Sequence, residues 1–288
     1  MSTLDFKNNF CGCERKMREK SIGVFDSGFG GLDIMKGIVR ELPDYDFVYL
    51  GDTARMPYGT RSGEIIYNFT KEAVDFLFMK NCELVIFACN TASSDALHRI
   101  QVEHVPQNHD GKKVLGVLIP AAEVACEVSK NNKIGVIATS STVRSKSFIR
   151  EITKIIPNMK IYQNACPLLV PLVEAGEQNS QMTEIALRKY LKPLLAKEID
   201  TLILGCTHYG ILESKIRKIV GKNVKIISES KIIGGKLKDY LARHPEIETR
   251  LAKDKKRTFY STDLTDNFRR LGGKFFGDRI EVEKAELR

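Results

Sequence analysis

The chain alternates between two kinds of hydrophobic pattern along almost its whole length. Short continuous runs rich in valine, isoleucine and leucine are typical of strands that are buried on both faces. Longer segments between them, clearest at 63–81 and 180–198, repeat apolar residues at the i, i+3, i+4, i+7 spacing of amphipathic helices. We therefore predict βαβ units with mostly parallel sheets, that is, an α/β fold. The predicted strands are SIGVFDSG from Ser21, FVYLGD from Phe47, LVIFACN from Leu84, VLGVLIP from Val114, KIGVIATS from Lys133, TLILGCT from Thr201 and VKIISES from Val224.

The strand pattern occurs twice in the same order along the chain. Three pairs of segments match each other, at separations of 112, 117 and 110 residues. Chance similarity between short Val/Ile strands explains any single pair, but three pairs in one order indicate two similar halves. We therefore predict two similar, pseudo-symmetric α/β domains. The pairs are 22–24 with 134–136, 83–89 with 200–206, and 114–120 with 224–230.

The composition limits the possible functions. The chain has 288 residues, which is enough for two domains that each bury a core. With 45 Lys and Arg against 36 Asp and Glu, its net charge is +9, so a nucleic-acid-binding module is one hypothesis. The basic residues are nevertheless spread along amphipathic segments, and the densest run, 253–257, is short. We therefore expect a solvated basic surface rather than a nucleic-acid site.

Hydropathy and cysteine usage indicate the cellular compartment in which the protein works. No apolar run approaches the roughly 20 residues that a membrane helix needs. The first twenty residues lack the apolar block of a secretory signal. The seven cysteines cannot all pair and are scattered, which is typical of reduced thiols. We expect a cytoplasmic protein that has no contact with a membrane.

Two cysteines occupy equivalent positions in the two halves. Cys89 and Cys206 each follow a predicted strand and precede a predicted helix. In parallel sheets this edge is where ligands bind, so the two thiols could approach one ligand from opposite sides. Backbone N–H groups and the helix dipole there favour the reactive thiolate. The same N–H groups, with the side chains of Asn90, Thr91 and Thr207, could hold a carboxylate. The alternative is that both cysteines are small buried hydrophobes.

The first and second strands also end in polar residues. Asp26 and Ser27 close the first strand before a glycine-rich turn that matches neither a dinucleotide fingerprint nor a P-loop. Asp52, Tyr58 and Gly59 follow the second strand. A turn or a helix cap explains each of these residues alone equally well.

The sequence around the remaining cysteines and histidines gives little indication of a functional role. Three cysteines lie in apolar or helical contexts, where we expect them to fill the core. The Cys11-Gly12-Cys13 segment does not make a metal site by itself. Of the five histidines, only His208 has a suggestive neighbourhood. The expected core cysteines are Cys82, Cys126 and Cys166, and the expected surface or loop histidines are His98, His104, His109 and His244.

Five segments together resemble the aspartate/glutamate racemase family over residues 21–288. This resemblance implies an isomerase that interconverts L- and D-glutamate without a cofactor or a metal ion, supplying D-glutamate for peptidoglycan and hence for the cell wall and cell shape. The sequence departs from the family pattern at Gly210, where proline is common, and at Glu177. The segments are FDSGFGGL, GDTARMPYG, ACNTAS, CPLLVPLVEAG and LGCTHYG.

The resemblance also implies roles for individual residues. Cys89 would take the α-proton from D-glutamate and Cys206 from L-glutamate, each thiol reprotonating the opposite face. The residues that match supporting acid/base groups are Asp26, Asp52, Glu174 and His208. The residues that match substrate-binding pairs are Asp26 with Ser27, Tyr58 with Gly59, Asn90 with Thr91, and Thr207 with His208.

The same resemblance implies a domain organisation and leaves alternatives open. It implies an active site in the cleft between the two domains, a homodimer, and a chain that crosses the domain boundary twice. We expect an extension at 1–20, a first domain of 21–112 plus 222–288, and a second domain of 113–221. An aspartate racemase of the same family and a thiol redox enzyme are the alternative functions. Turnover of aspartate, or of peroxides or disulfides, would distinguish them.

Overall fold

The computed structural model describes residues 20–287 of the chain. The predictions about the N-terminal extension, including the Cys11-Gly12-Cys13 segment, fall almost entirely outside these residues. Within the described part, no helix has the length and apolar character that crossing a membrane requires.

A parallel sheet of six strands forms the first layer of the described chain. The strands lie side by side in the order β10-β9-β2-β1-β3-β4. Every neighbouring pair is parallel. The strands are β1 (Ser21–Asp26), β2 (Phe47–Gly51), β3 (Cys82–Phe87), β4 (Lys113–Gly116), β9 (Arg257–Ser261) and β10 (Val282–Lys284).

A second parallel sheet contains the strands from the middle of the chain. Its order is β6-β5-β7-β8. The strands are β5 (Lys133–Ala138), β6 (Lys160–Ala165), β7 (Thr201–Gly205) and β8 (Lys225–Ile227). The sub-order β2-β1-β3-β4 of the first sheet is therefore repeated as β6-β5-β7-β8. The matched segments of the sequence lie on equivalent strands, which confirms the predicted two similar α/β halves.

Helices connect the strands and cover the sheets. The helices at 63–81 and 180–198 are confirmed with slightly shorter bounds. A π-helical turn (Ile100–His104) and two 3₁₀ segments (Tyr58–Thr60 and Thr207–Leu212) interrupt the regular pattern. The helices are α1 (Gly31–Glu41), α2 (Gly63–Met79), α3 (Asn90–Asp95), α4 (Leu97–Arg99), α5 (Val105–Asn108), α6 (Leu118–Val128), α7 (Ser140–Ser145), α8 (Ser147–Ile155), α9 (Leu169–Glu174), α10 (Gln181–Leu195), α11 (Glu213–Val220), α12 (Glu229–Arg243), α13 (Pro245–Glu248) and α14 (Asp266–Phe276).

Three strands were not predicted, and two predicted strands are shorter than expected. β6 is a half-buried edge strand that carries Gln163 and Asn164, so it lacks a continuous apolar run. β10 is a three-residue strand at the edge of the first sheet, whereas β9 lies between β10 and β2. Their sequences, RTFYS in β9 and VEK in β10, also lack a continuous apolar run. The predicted strand VLGVLIP ends at Gly116, because Leu118 already begins α6 and Pro120 is accommodated in its first turn. VKIISES similarly gives way to α12 at Glu229.

Strand pairing moves both predicted domain crossings toward the C-terminus. β4 pairs with β3 in the first sheet, although residue 113 was assigned to the second domain. β8 pairs with β7 in the second sheet, although residues from 222 onward were assigned to the first. The reason is the same in both sheets: the strand that ends at the cysteine, β3 or β7, pairs with the next strand along the chain, β4 or β8. On this basis we propose that the first domain comprises β1–β4 with β9–β10, and the second β5–β8.

Helices α1 and α12 pack closely and fix the start of α12 near the cleft. A Cβ atom on Gly37 of α1 would lie 1.9 Å from the Ser230 carbonyl oxygen. Likewise, a Cβ on Gly234 of α12 would lie 2.6 Å from the Gly37 carbonyl oxygen. Glycine therefore serves here for close backbone approach rather than for a turn.

The structure corrects the expectation for His104 and explains the basic run. His104 is buried, and its Nε2 lies 2.5 Å from Asp75 Oδ1, which also lies 2.6 Å from His109 Nε2. The basic residues at 253–257 are engaged in local contacts with acidic side chains or backbone carbonyls. The contacts join Lys253 to Glu248, Lys255 to Asp44, Lys256 to Asp254, and Arg257 to the carbonyls of Pro43 and Tyr45.

Candidate active site

The carboxyl ends of the two sheets face a common cleft. Its empty space is about 710 Å³, including the part that is open to solvent. Cys89 and Cys206, which end equivalent strands of the two sheets, both line it. Eight further predicted site residues line the same cleft: Ser27, Tyr58, Gly59, Asn90, Thr91, Glu174, Thr207 and His208.

Cys89 lies between β3 and the short helix α3. It is the N-cap of that helix, and its Sγ accepts a hydrogen bond from the Ala92 N–H at 3.4 Å. The thiol also lies 3.4 Å from the Ser27 hydroxyl. Burial and, to a smaller extent, the charge of the neighbouring Asp26 raise the pKa of the Cys89 thiol to about 12, although the contacts with Ser27 and Ala92 oppose the shift.

Cys206 lies between β7 and the 3₁₀ segment Thr207–Leu212. Its Sγ is 3.9 Å from Nδ1 of His208. Burial raises the pKa of the Cys206 thiol well above its usual range. A backbone hydrogen bond from His208 opposes this shift, whereas the nearby Cys89 and Asp26 increase it.

The expectation that local backbone geometry would favour thiolates is wrong for the free protein. Both cysteines are at least 90 % withdrawn from solvent, with exposures of 5 % and 7 %. The helix after Cys89 has only six residues, and the segment after Cys206 is 3₁₀, so the dipoles are small. Desolvation of the charged form therefore outweighs the favourable N–H contacts. Both groups are thiols until something else in the cleft compensates the charge.

Asp26 lies behind the cleft, where the two domains meet. It is fully buried and does not line the cavity. Its Oδ1 accepts from the Gly28 N–H at 3.0 Å and its Oδ2 from the Thr207 hydroxyl at 3.4 Å. Burial raises the pKa of Asp26, and His208 opposes that shift. The carboxyl thus joins the end of β1 to the residue that follows Cys206.

The glycine-rich turn after β1 allows this close approach. A Cβ atom on Gly30 would lie 2.4 Å from the Thr207 hydroxyl and 2.7 Å from His208 Nδ1. Gly30 has an ordinary αR backbone, with φ of −61°, so proximity and not a left-handed conformation requires glycine.

His208 connects the second thiol to an acidic residue. Its Nε2 lies 3.2 Å from Glu174 Oε1, at the end of α9. The imidazole packs against the rings of Phe29 and Phe275, with centroids 5.5 and 5.9 Å away. The aromatic rings hold the imidazole plane, so its two nitrogens face Cys206 and Glu174.

Asp52 is separated from the thiols by Tyr58. It is fully buried, does not line the cleft and accepts hydrogen bonds from Arg55 Nε at 2.7 Å and the Thr262 hydroxyl at 2.9 Å. The Tyr58 hydroxyl also donates to it. Burial raises the pKa of Tyr58 well above its usual range, and the Asp52 charge adds to this. Asp52 therefore orients Tyr58, which itself lines the cleft.

Several residues of the second domain line the cleft although they were not predicted as site residues. Thr139 follows β5 and is the N-cap of α7, Ser140 is the first residue of α7, and Cys166 follows β6. The internal repeat contained a signal for Thr139, because the offset of 112 residues places it opposite Ser27. Cys166 is fully buried, as expected of a core cysteine, and is also among the residues that line the cleft.

Glu229 was also missed, and no local pattern identifies it. It is the first residue of α12, where a glutamate is an ordinary helix start. Its Oε2 accepts a 2.7 Å hydrogen bond from Asn90 Nδ2, and both side chains are almost fully buried. Burial raises the pKa of Glu229 to about 8. It does not line the cleft itself, and the packing of α12 against α1 places it behind the cleft, against Asn90.

Comparison with known proteins agrees with this architecture. Residues 22–232 match the family model described as Asp/Glu/Hydantoin racemase. A curated glutamate racemase from Sulfurihydrogenibium sp. is 40 % identical over 268 residues, which cover 92 % of this chain and 97 % of the relative. Another from Thermoanaerobacter pseudethanolicus is 40 % identical over 92 % of this chain and 96 % of its own length.

Solved structures extend the comparison to the whole fold. The crystal structure of a glutamate racemase isoform from Bacillus anthracis has a TM-score of 0.85 at 35 % identity, covering 94 % of this chain and 98 % of its own. The Francisella tularensis glutamate racemase, solved in complex with D-glutamate, has a TM-score of 0.84 at 34 % identity, with coverages of 93 % and 98 %. The chain therefore belongs to the Asp/Glu/hydantoin racemase family and, within it, to the glutamate racemases.

Proposed function

We propose that this protein is an isomerase that interconverts L-glutamate and D-glutamate by proton transfer at Cα. The observation that carries the proposal is the placement of Cys89 and Cys206 at equivalent strand ends of two similar sheets, in one cleft. Racemisation needs a base on one face of the substrate and an acid on the other. A pair of thiols related by pseudo-symmetry supplies both.

The proposed step balances in protons and charge. With L-glutamate bound, the Cys206 thiolate takes the Cα proton and becomes a thiol, and the electron pair remains on Cα. The Cys89 thiol then donates its proton to the opposite face, which gives D-glutamate and a Cys89 thiolate. The reverse reaction exchanges the two roles.

Substrate binding supplies the charge compensation that the free thiols lack. Burial raises the pKa of both thiols, so forming a thiolate there costs free energy unless a positive charge lies close to it. The α-ammonium group of an amino acid is a positive charge next to Cα, and in a dry cleft its attraction to a thiolate is strong. We infer that deprotonation accompanies binding and that the buried Asp26 and His208 carry the proton to or from the thiols.

The substrate carboxylates would be held by neutral donors. Asn90, Thr91 and Thr207 follow the two cysteines, and Ser27 and Tyr58 complete this side of the cleft. Neither lysine nor arginine occurs among the described residues that line the cleft. Hydroxyl, amide and backbone N–H groups can bind a carboxylate without a permanent positive charge beside the thiols.

The alternative functions have less support. An aspartate racemase would use the same thiols, but the Picrophilus torridus aspartate racemase is only 17 % identical and shows the fold alone. A redox enzyme normally needs an accessible thiol of lowered pKa, whereas both thiols are buried and their pKa values are raised. Nucleic-acid binding was suggested by the net charge alone, and the densest basic run, 253–257, is engaged in local contacts.

The cellular setting is part of the same proposal. The product D-glutamate would supply peptidoglycan synthesis in the cytoplasm, and the enzyme would act as a homodimer.

Assay of the purified protein with L- or D-glutamate, without added cofactor, tests the reaction. Circular dichroism should approach zero from either enantiomer. Faster racemisation of aspartate, or none of either amino acid, would refute the proposed substrate.

A further inference from the structure

Asn90 and Glu229 form a buried pair at the edge of the cleft. Asn90 lines the cleft directly after Cys89, and its Nδ2 donates to Glu229 Oε2 at 2.7 Å. The side chains are 2 % and 3 % exposed. One oxygen of each group, Asn90 Oδ1 and Glu229 Oε1, is buried and has no hydrogen-bond partner among the described residues.

These two orphaned oxygens identify the protonation state that fits the pair. If Glu229 is ionised, two acceptors are buried without a donor, which costs free energy at each of them. If Oε1 carries a proton, it can donate to Asn90 Oδ1 while Oε2 accepts from Nδ2. The carboxylic acid and the amide then form a ring of two hydrogen bonds, and both oxygens are satisfied.

Burial and the charge of Asp26 also favour the neutral form of Glu229. Burial raises the pKa of Glu229 to about 8, and the charge of Asp26 also raises it, whereas the hydrogen bond from Asn90 opposes the shift. Asp33 and the Cys206 thiol line a small gap beside Glu229. Near Asp33, Lys36 and Lys231 provide positive charge, and Lys231 is also bound to Glu213 at 2.6 Å.

We propose that Glu229 is a positioning residue for racemisation, acting as a neutral acid that locks the Asn90 amide in one orientation within the cleft. This inference rests on the proposed function. Locking the amide fixes which of its atoms faces the substrate. Keeping Glu229 neutral also removes a negative charge that would otherwise make the Cys206 thiolate harder to form, since a charged Glu229 raises the pKa of that thiol.

Substitution by glutamine distinguishes this role from simple packing. Glu229→Gln can accept from Asn90 Nδ2 and donate to Asn90 Oδ1, so it reproduces the ring but cannot ionise. We expect its kcat/KM at pH 7 to exceed that of Glu229→Ala at least tenfold. We also expect the decrease in the wild-type kcat/KM near pH 8, attributed to Glu229 ionisation, to be absent from the Gln variant. An exposed glutamate outside the cleft provides the control variant Glu246→Gln, which should keep the wild-type profile.

Two measurements without substrate separate this inference from the proposed function. Because the folded-state pKa is raised, wild-type stability should fall between about pH 5 and pH 8 relative to Glu229→Gln, and Tm measured across this range reports it. Infrared difference spectra at pH 7 should show a protonated carboxyl band that Glu229→Gln lacks.

Each outcome decides the question. The same alkaline decrease in the wild type and the Gln variant would overturn the positioning role. So would a Gln variant as impaired as the Ala variant while correctly folded. Absence of the carboxyl band would overturn the neutral acid. If racemisation itself is absent but the band and the stability slope are present, then the proposed function fails while the neutral Asn90–Glu229 pair stands.

Discussion

The hydroxyl of Thr91 lies 3.0 Å from the hydroxyl of Thr139, and this hydrogen bond joins the two domains across the cleft. Thr91 belongs to the short helix after Cys89, and Thr139 directly follows β5 in the second domain. On the same side, Gly59 packs against Thr139, since a Cβ there would lie 2.7 Å from Thr139 Cβ. The domains thus meet at small polar groups whose neutral contacts are individually weak.

Replacing Thr139 tests whether this contact controls substrate binding. Thr139→Val removes the cross-domain hydrogen bond and the N-cap that its hydroxyl gives to Thr142. We expect about 1 kcal/mol lower stability and a KM several-fold higher, because the closed cleft becomes less favourable. Thr139→Ser should behave like the wild type. Steady-state kinetics and chemical denaturation measure both effects.

A matched control separates the effect of losing the helix N-cap from the effect of losing the hydrogen bond between Thr91 and Thr139. Ser180 caps α10 through Thr183 in the same way but lies outside the cleft. Ser180→Ala should therefore lose similar stability without a change in KM. An unchanged KM in Thr139→Val would show that the cross-domain contact does not influence binding.

Solvent isotope incorporation tests the two-thiol mechanism. In heavy water, D-glutamate formed early from L-glutamate should carry deuterium at Cα, because the Cys89 thiol exchanges with solvent. The L-glutamate recovered at the same time should remain largely protiated. Mass spectrometry of the separated enantiomers measures both pools. A single shared base would label both or return the original proton to the product.

Alanine variants extend this test to each thiol. Cys89→Ala and Cys206→Ala should both abolish racemisation, since one face then lacks its base in one direction and its acid in the other. Cys82→Ala is a suitable control, because that buried thiol lies outside the cleft. Substantial turnover by correctly folded Cys206→Ala would exclude the two-base mechanism.

His208 should matter more for one direction of the reaction. Its Nδ1 faces Cys206, the thiol assigned to L-glutamate. We expect His208→Asn to slow proton abstraction from L-glutamate by about 10²-fold, and abstraction from D-glutamate by less. The comparison requires isotope-sensitive rates, because the overall equilibrium constant couples the two directions. Equal slowing of both abstraction steps would contradict this local role.

Lys20 is bound to two distant segments of the chain, and these contacts should contribute to stability. Lys20 Nζ lies 2.7 Å from Glu83 Oε2, and its carbonyl accepts from the Ala252 N–H at 2.8 Å. Glu83 is buried and also contacts Lys112 and Arg250. Deletion of residues 1–19 should preserve racemisation and Tm, whereas deletion of residues 1–20 should lower Tm by several degrees. Equal Tm values for the two truncations would show that the Lys20 contacts contribute little.

Hydrophobic periodicity was sufficient to predict the α/β class, the long helices and the central strands. These features depend on interactions within a few residues of the chain, so the pattern of apolar positions encodes them directly. The internal repeat added the two-sheet organisation and the equivalence of Cys89 and Cys206. The strands β6, β9 and β10 were not predicted, because polar residues interrupt each of them and leave no continuous apolar run.

The pKa values of the two thiols, and the choice of residues that reach the cleft, were decided only by the tertiary structure. The sequence places favourable N–H groups beside Cys89 and Cys206, yet burial by both domains raises the pKa of each thiol and reverses the expected preference. Asp52 looks like a cleft residue in the sequence, but Tyr58 stands between it and the cavity. Glu229 is 139 residues away from Asn90 in the sequence, and the two side chains are hydrogen-bonded because α12 packs on α1. Desolvation and long-range contacts depend on which distant segments surround a group, and no local pattern contains that information.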